Sequence, residues 1–186
     1  MKTKIHSLAL SRRQFLLGTS GFAIGVAFGV PAFTASRQAQ AQAAGLSPNQ
    51  WVTIATDGTV SIVSPASEMG QGTLTAMPLC VAEDLDADWS RVRQVQAPHN
   101  PKLLGNKLFG GIMATGASRT TRGYYQVLRL AGAQARQVLV LAAAEKWGVP
   151  ASEVSTDRSV VLHRASGRSM GYGEVAGFAK GPDPLP

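Results

Sequence analysis

The sequence has very little cysteine, because Cys80 is the single one among 186 residues. A lone cysteine excludes an intrachain disulfide, a Cys-x-x-Cys-His haem site and a four-cysteine iron–sulfur cluster held by this chain alone. Cys80 lies in the apolar run Leu79–Ala82, which favours a small buried side chain over a reactive thiol. An electron-transfer centre, if this protein uses one, must therefore come from a partner.

Residues 1–43 lack acidic side chains altogether, although they contain five basic ones. The basic residues are Lys2, Lys4, Arg12, Arg13 and Arg37. This charge bias, followed by a glycine-diluted apolar run from 15 to 30, is typical of an export signal and makes a poor membrane span. Ser11–Leu16 has the twin-arginine form. The Ala-x-Ala sequences within 39–43 predict cleavage near Ala43 and a periplasmic protein.

The twin-arginine route carries proteins that have already folded, so the signal indicates a cofactor inserted before export. Removing the signal leaves 13 of the 18 basic residues and all 11 acidic ones, so the net charge of +7 falls to +2. No basic stripe interleaved with aromatic residues remains, which argues against nucleic-acid binding. A chance Arg-Arg pair in a general secretory signal, or a membrane anchor, is the alternative interpretation.

Residues 44–186 are long enough for one modest hydrophobic core. The β-prone runs 51–55 and 59–63, separated by Asp57-Gly58, predict a hairpin, and further short strands are expected within 91–96 and 153–169. Apolar side chains at helical spacing predict two main helices, one over 74–85 and a longer one that ends at Gly148. The segment 97–121 is loop-like. We expect an α+β (mixed α/β) fold with short β-hairpins and two main helices, incomplete by itself.

The segment Glu68–Gly72 places two glycines around one glutamine at the start of the first helix. Gly70 and Gly72 permit backbone angles and close approaches that a Cβ atom would obstruct. Unpaired N–H groups at a helix start suit a phosphate or another anion. Gln71 offers a donor and an acceptor to a heterocycle edge or a metal-bound oxygen. An ordinary strand-to-helix turn explains the same pattern, so both interpretations stand.

A second loop, Thr115–Thr121, opens the long helix with a glycine, several hydroxyls and an arginine. Ser118, Thr120 and Thr121 could cap the helix. Alternatively, the loop could bind phosphate, with Arg119 making a bidentate contact. Neither loop is a Walker loop, because no Gly-Lys-[Ser/Thr] sequence occurs, and Gly110-Gly111 lacks the Rossmann spacing. The two loops together could hold one large anionic cofactor.

Taken in order, these segments resemble the molybdopterin-binding large subunit of the xanthine dehydrogenase and aldehyde oxidase family. The most similar type is the exported isoquinoline 1-oxidoreductase (β-subunit) or aldehyde dehydrogenase kind, whose large subunit carries a twin-arginine signal. The resemblance covers nearly all of 46–179. It rests on Glu68–Gly72, Pro78–Asp86, Trp89–Arg93, Gly116–Thr120 and the Arg-Gly-Tyr-Tyr start of the long helix.

The resemblance implies a set of cofactor-binding residues in the two loops. They are Met69, Gly70, Gln71, Gly72, Gly116, Ser118, Arg119 and Thr120. Gln71 is given a catalytic role beside a molybdenum oxo ligand, and the second loop is placed against the phosphates of a molybdopterin cytosine dinucleotide. No side chain is expected to bind molybdenum, because the pterin dithiolene holds the metal in this family.

The same resemblance implies an activity and a set of partners. Family members hydroxylate an aldehyde or an N-heterocycle with water-derived oxygen, and the electrons leave through iron–sulfur clusters. Because this chain has one cysteine, the clusters are expected on a small [2Fe-2S] subunit, and a periplasmic location fits a cytochrome as the further acceptor.

The family's large subunit is several times longer than this chain. Its catalytic glutamate lies in a glycine-rich motif that does not occur here, and Glu68, Glu83 and Glu145 are not candidates for that role. We therefore expect 44–186 to be the N-terminal part of a truncated molybdopterin-binding domain, completed by the rest of the subunit. Two alternatives stay open: an exported non-catalytic domain that binds a phosphate- or nucleotide-like ligand, and a non-functional truncated product.

Overall fold

The computed structural model describes residues 45–181, which begin with three antiparallel strands. These are β1 (Gly45–Asn49), β2 (Val52–Ala55) and β3 (Val60–Ser64). The predicted hairpin is confirmed, with Val52 opposite Ile62. Its turn uses Gly58 at φ 87°, and the Asp57 carboxylate accepts the N–H of Thr59 at 2.8 Å. Strand β1 was not predicted, because its Gly-Leu-Ser-Pro-Asn sequence lacks β-branched residues.

The strand β4 (Val92–Gln96) extends this sheet, and it pairs in parallel with β3. A parallel pair needs a crossover, which is supplied here by helix α1 (Thr73–Leu85). The carboxyl ends of β3 and β4 therefore lie at the same edge of the sheet. Ser64 leads from that edge toward the first glycine loop, and Gln96 leads toward the segment that ends in the second.

Helix α1 confirms the first predicted helix, with Met77, Val81 and Leu85 buried on one face. The second predicted helix is α3 (Thr120–Trp147), which ends at Gly148 with φ 67° as its pattern indicated. The two helices pack closely where the backbone of Gly132 lies against the carbonyl of Val81, so a Cβ at that position would collide with it. The small side chains of α3 therefore set the distance between the helices.

The predicted loop 97–121 contains a short helix, α2 (Pro101–Leu104). After α3, the strands β5 (Val154–Asp157), β6 (Val160–His163) and β7 (Arg168–Gly171) form a three-stranded antiparallel sheet, followed by helix α4 (Tyr172–Ala176). The Tyr172 hydroxyl donates to the Leu85 carbonyl at 2.7 Å, which fixes α4 to the end of α1. The expected mixed α/β class is confirmed.

The described residues 45–181 belong to one compact unit, whose core is shared by the first sheet, α1 and α3. By length and composition, α3 would also suit a membrane span, but half of its most apolar stretch is buried inside the unit. A buried core helix meets the same criterion. The predicted export signal, 1–43, lies outside the described residues, so the boundary near Ala43 stays a prediction.

Candidate functional site

The two glycine loops lie side by side and line one cavity of about 500 Å³. The backbone N–H of Ser67, just before the first loop, donates to the Thr115 hydroxyl at the start of the second, at 3.0 Å. The cavity lining draws on both loops and on the helix starts that follow them. The lining residues are Met69, Gln71, Thr73, Thr115, Gly116, Ala117, Ser118, Thr120 and Thr121.

The first loop is held by a carboxylate of its own. Glu68 accepts hydrogen bonds from the backbone N–H groups of Gly70 at 2.7 Å, Gly72 at 3.1 Å and Leu74 at 2.8 Å. These bonds lower the pKa of the Glu68 carboxyl to about 2, the bond from Leu74 contributing most. The N–H groups that were predicted to face an external anion at this helix start are therefore paired with Glu68.

The amide of Gln71 is also used within the first loop. Its Oε1 accepts the N–H of Met69 at 2.6 Å, while Nε2 donates to the Ser67 carbonyl at 2.6 Å and to the Thr73 hydroxyl at 3.0 Å. Gln71 thus lines the cavity with both amide donors already paired. These hydrogen bonds stabilise the conformation of the first loop.

The second loop has an unusual backbone. Gly116, Ala117 and Ser118 follow one another at φ 146°, 50° and 52°, and a left-handed conformation is strained for alanine and serine. Within residues 45–181, the N–H groups of Ala117 and Ser118 donate to no acceptor. Successive free N–H groups next to a left-handed residue form a concave donor site for an anion.

The capping interpretation of the second loop is not what the structure shows. Helix α3 begins at Thr120 with Arg119 at the N-cap position, and no side chain caps it there. The hydroxyl of Thr120 instead accepts the N–H of Gly116 at 2.8 Å and so braces the loop from inside. Ser118 lines the cavity without capping the helix.

Sequence reasoning missed Asn106, which anchors the second loop from behind. Its side chain is fully buried, donates to the carbonyls of Arg119 at 3.2 Å and Thr120 at 3.4 Å, and accepts the N–H of Leu108 at 2.9 Å. Gly123 leaves room for this side chain, because a Cβ there would overlap the Asn106 amide. The available signal was an asparagine beside Gly105 in a loop and a glycine inside a helix.

Five of the predicted cofactor-binding residues line the cavity, and three do not. Those that line it are Met69, Gln71, Gly116, Ser118 and Thr120. Gly70 and Gly72 shape the first loop at φ 95° and 82°, with open space where a Cβ would stand. Arg119 has an exposed side chain that makes no ion pair within residues 45–181. Thr73, Thr115, Ala117 and Thr121 join the lining without having been predicted.

Other titratable groups of the described chain, His163 and Cys80 among them, do not line this cavity. Among residues 45–181, no group of three or more His, Cys, Asp or Glu side chains is placed to hold a metal ion. Buried His163 contacts Ser166 at 2.6 Å and Glu153 at 3.0 Å in the second sheet. Cys80 is only partly buried, which differs from the expected buried side chain, but that burial still raises the pKa of its thiol and so favours the unreactive interpretation.

Comparison with known proteins identifies the family of the chain. The model of the molybdopterin cofactor-binding domain matches residues 6–183. Isoquinoline 1-oxidoreductase subunit beta of Brevundimonas diminuta is 50% identical, over 100% of this chain and 25% of that protein. The membrane-bound aldehyde dehydrogenase [pyrroloquinoline-quinone] of Gluconacetobacter polyoxogenes is 31% identical, over 93% of this chain and 22% of that protein.

A solved structure shares the fold. Quinoline 2-oxidoreductase from Pseudomonas putida 86 superposes with a TM-score of 0.52 at 18% identity, over 68% of this chain and 15% of that chain. The chain spans about a quarter of the length of the curated relatives that it matches. From the match over residues 6–183, this chain belongs to the molybdopterin cofactor-binding domain family.

Proposed function

We propose that this chain is the part of a molybdenum hydroxylase large subunit that holds a molybdopterin dinucleotide between its two glycine loops. The observation that carries the proposal is the shared cavity of about 500 Å³, lined by Met69 and Gln71 from one loop and by Gly116 and Ser118 from the other. When bound, the cofactor would supply the oxidation of an aldehyde or an N-heterocycle with oxygen derived from water.

The residues present suit such a ligand. Open space at Gly70, Gly72 and Gly116 lets a ligand approach the backbone closely. The free N–H groups of Ala117 and Ser118 are donors of the kind that phosphate oxygens accept. A cavity of about 500 Å³ is in the range of small-molecule and cofactor sites.

The two loops suit different parts of the ligand. The first loop already contains an anion, the Glu68 carboxylate, so it suits an uncharged heterocyclic part of the ligand. Within residues 45–181, the N–H groups of Ala117 and Ser118 donate to no acceptor and the Arg119 guanidinium makes no ion pair, so the second loop suits the phosphates. We therefore assign phosphate binding to Ser118, Arg119 and the backbone at Ala117.

Gln71 has a narrower role than the resemblance alone implies. Both of its amide donors are paired inside the loop, so a direct contact with a cofactor oxygen requires one of these hydrogen bonds to be exchanged. The role that follows from this geometry is to hold the backbone of Met69–Gly72 against the ligand.

The partners and location follow from the same proposal. The rest of the large subunit completes the site, because this chain spans about a quarter of its relatives. A small [2Fe-2S] subunit would receive the electrons, since Cys80 is the only cysteine, and a cytochrome would accept them next. The acid-free, twin-arginine segment 1–43 supports export to the periplasm.

The proposal is tested in the intact subunit with its own downstream sequence. Arg119→Ala should deplete molybdenum and pterin, measured by elemental analysis and by fluorescence of the oxidised pterin. Arg93→Ala, which removes an exposed arginine from strand β4, is the matched control and should retain both. Full molybdenum occupancy in Arg119→Ala would contradict the phosphate assignment.

The same preparations test the role of Gln71 and the identity of the cofactor. Gln71→Ala should lower turnover, because it removes the side chain that holds the backbone of Met69–Gly72 against the ligand, and unchanged turnover would count against this positioning role. One relative is named for pyrroloquinoline quinone, so the extracted cofactor should be examined for quinone as well as pterin. Quinone without pterin would refute the proposed function.

A further inference from the structure

Glu68 makes more contacts to the first loop than a helix cap requires. Besides the N–H of Leu74 in the first turn of α1, its carboxylate accepts the N–H groups of Gly70 and Gly72, which lie before the helix. The Thr73 hydroxyl adds a fourth contact at 3.3 Å. One side chain thus contacts both glycines that give the loop its shape.

The glycines need this support because they gain little from packing. Gly70 and Gly72 are exposed, have positive φ, and have no heavy atom within 4 Å of the positions where a Cβ would stand. Glycine populates many backbone conformations with similar energy, so an unsupported loop of this composition would be an ensemble. Hydrogen bonds to an ionised acceptor are stronger than those to a neutral one, and the Glu68 carboxylate accepts three from backbone N–H groups.

A second network depends on the first. Gln71 lies between the two glycines, and its amide joins Met69, Ser67 and Thr73. The Thr73 hydroxyl contacts both the Gln71 amide and the Glu68 carboxylate, so the two side chains share a partner. Loss of the carboxylate therefore also removes a constraint on Gln71.

We propose that Glu68 is a positioning residue that holds the Met69–Gly72 loop ready for the cofactor before the cofactor arrives. It acts through the backbone of Gly70 and Gly72 and through Thr73, and it does not itself contact the reacting atoms. The proposal rests on the proposed function for the identity of the ligand. It also predicts that the ligand does not displace Glu68 from the helix start, because the phosphates bind at the second loop.

The loop shape is tested in the full 186-residue chain without cofactor, by amide hydrogen exchange. In Glu68→Ala, the amides of Gly70, Gly72 and Leu74 should exchange roughly threefold to tenfold faster than in the wild type, because each loses its acceptor. In Glu68→Gln, which keeps one carbonyl oxygen as an acceptor, these amides should exchange at rates between those of the wild type and Glu68→Ala. The amide of Val81 in the interior of α1 should not change in either variant.

Glu83→Gln is the matched control, because Glu83 is an exposed glutamate on the same helix. It should leave every loop amide at the wild-type rate. Unchanged exchange at Gly70, Gly72 and Leu74 in Glu68→Ala would overturn the proposal. Faster exchange at Val81 together with the loop would show a general loss of helix stability, which would also overturn it.

The link to the cofactor is tested in the intact subunit by its molybdenum content. Glu68→Gln should retain less molybdenum than Glu83→Gln, and full occupancy in Glu68→Gln would overturn the positioning role. The molybdenum content of the wild-type subunit distinguishes a failure of the proposed function from a failure of the positioning role of Glu68. An absence of molybdenum there would refute the proposed function, whereas the exchange measurements decide independently whether Glu68 holds the loop.

Discussion

The hydroxyl of Thr115 accepts a hydrogen bond from the backbone N–H of Ser67 at 3.0 Å, across a separation of 48 residues. This bond joins the start of the second glycine loop to the residue just before the first, and Thr115 itself lines the shared cavity. Because the loops follow different strands of the sheet, their relative position depends on such contacts as well as on the sheet itself. The shape of the cavity therefore depends partly on one hydroxyl group.

Thr115→Val should separate the loops locally without unfolding the protein. Valine has the same shape as threonine but no acceptor, so the Ser67 amide should exchange faster, while the free energy of unfolding falls by less than about 1 kcal/mol. Thr115→Ser keeps the hydroxyl and is the control. Equal Ser67 exchange rates in Thr115→Val and the wild type would show that the bond does not hold the loops together.

Asn106→Ala should destabilise the protein by roughly 1–3 kcal/mol, because it leaves the carbonyls of Arg119 and Thr120 and the N–H of Leu108 without their buried partner. Urea unfolding measures the change. Asn100→Ala is the control, since Asn100 makes no side-chain cap bond to the short helix α2. Similar stabilities for the two variants would contradict the anchoring role of Asn106.

Gly132→Ala tests the packing of α1 on α3. Helix propensity alone predicts that alanine stabilises a helix interior by about 1 kcal/mol relative to glycine. Because a Cβ at Gly132 meets the Val81 carbonyl, we expect instead a loss of about 1–3 kcal/mol in thermal or urea unfolding. Ala133→Gly, at the exposed neighbouring position, should lower the stability only by the difference in helix propensity between alanine and glycine. A more stable Gly132→Ala protein would refute the close contact.

The pair Asp84–Arg129 joins α1 to α3 with two hydrogen bonds, of 2.7 and 2.9 Å. The bond from Arg129 lowers the pKa of Asp84 from its ordinary value of 3.8. Since the folded state has the lower pKa, the stabilisation is present above pH 3.8 and is lost as the pH falls further. Both side chains are partly exposed, so solvent screening keeps this contribution small.

The pH dependence can be measured against Asp84→Asn. At neutral pH, urea unfolding should give the wild type a higher free energy of unfolding than Asp84→Asn. The free energies of unfolding of the two proteins should become equal in acid. A difference that stays constant from neutral pH into acid would mean that the charge on Asp84 is not responsible.

Local patterns predicted much of this fold. The Asp57-Gly58 turn, the helical spacing of Met77, Val81 and Leu85, and the glycine at 148 each depend on near neighbours in sequence, and each is confirmed. The parallel pairing of β3 with β4 was not predicted, because register between distant strands is fixed by tertiary packing.

The candidate site was predicted as residues but not as contacts. The sequence pointed to both loops, and the structure brings them to one cavity. It could not show that Glu68 would bond the amides of Gly70 and Gly72, or that Gln71 would use its donors within the loop. Those outcomes depend on side-chain conformations, which a one-dimensional pattern does not contain.

The crossover from β3 through α1 to β4 has a consequence for the order of events during folding. Neither loop can take its place at the sheet edge until the distant strands have paired, and pairing of this kind is slow because a long segment must first be closed. The cavity therefore takes its final shape only after β3 and β4 have paired. We expect cofactor capture to follow this step, so that a chain able to hold the cofactor is one that has completed its sheet.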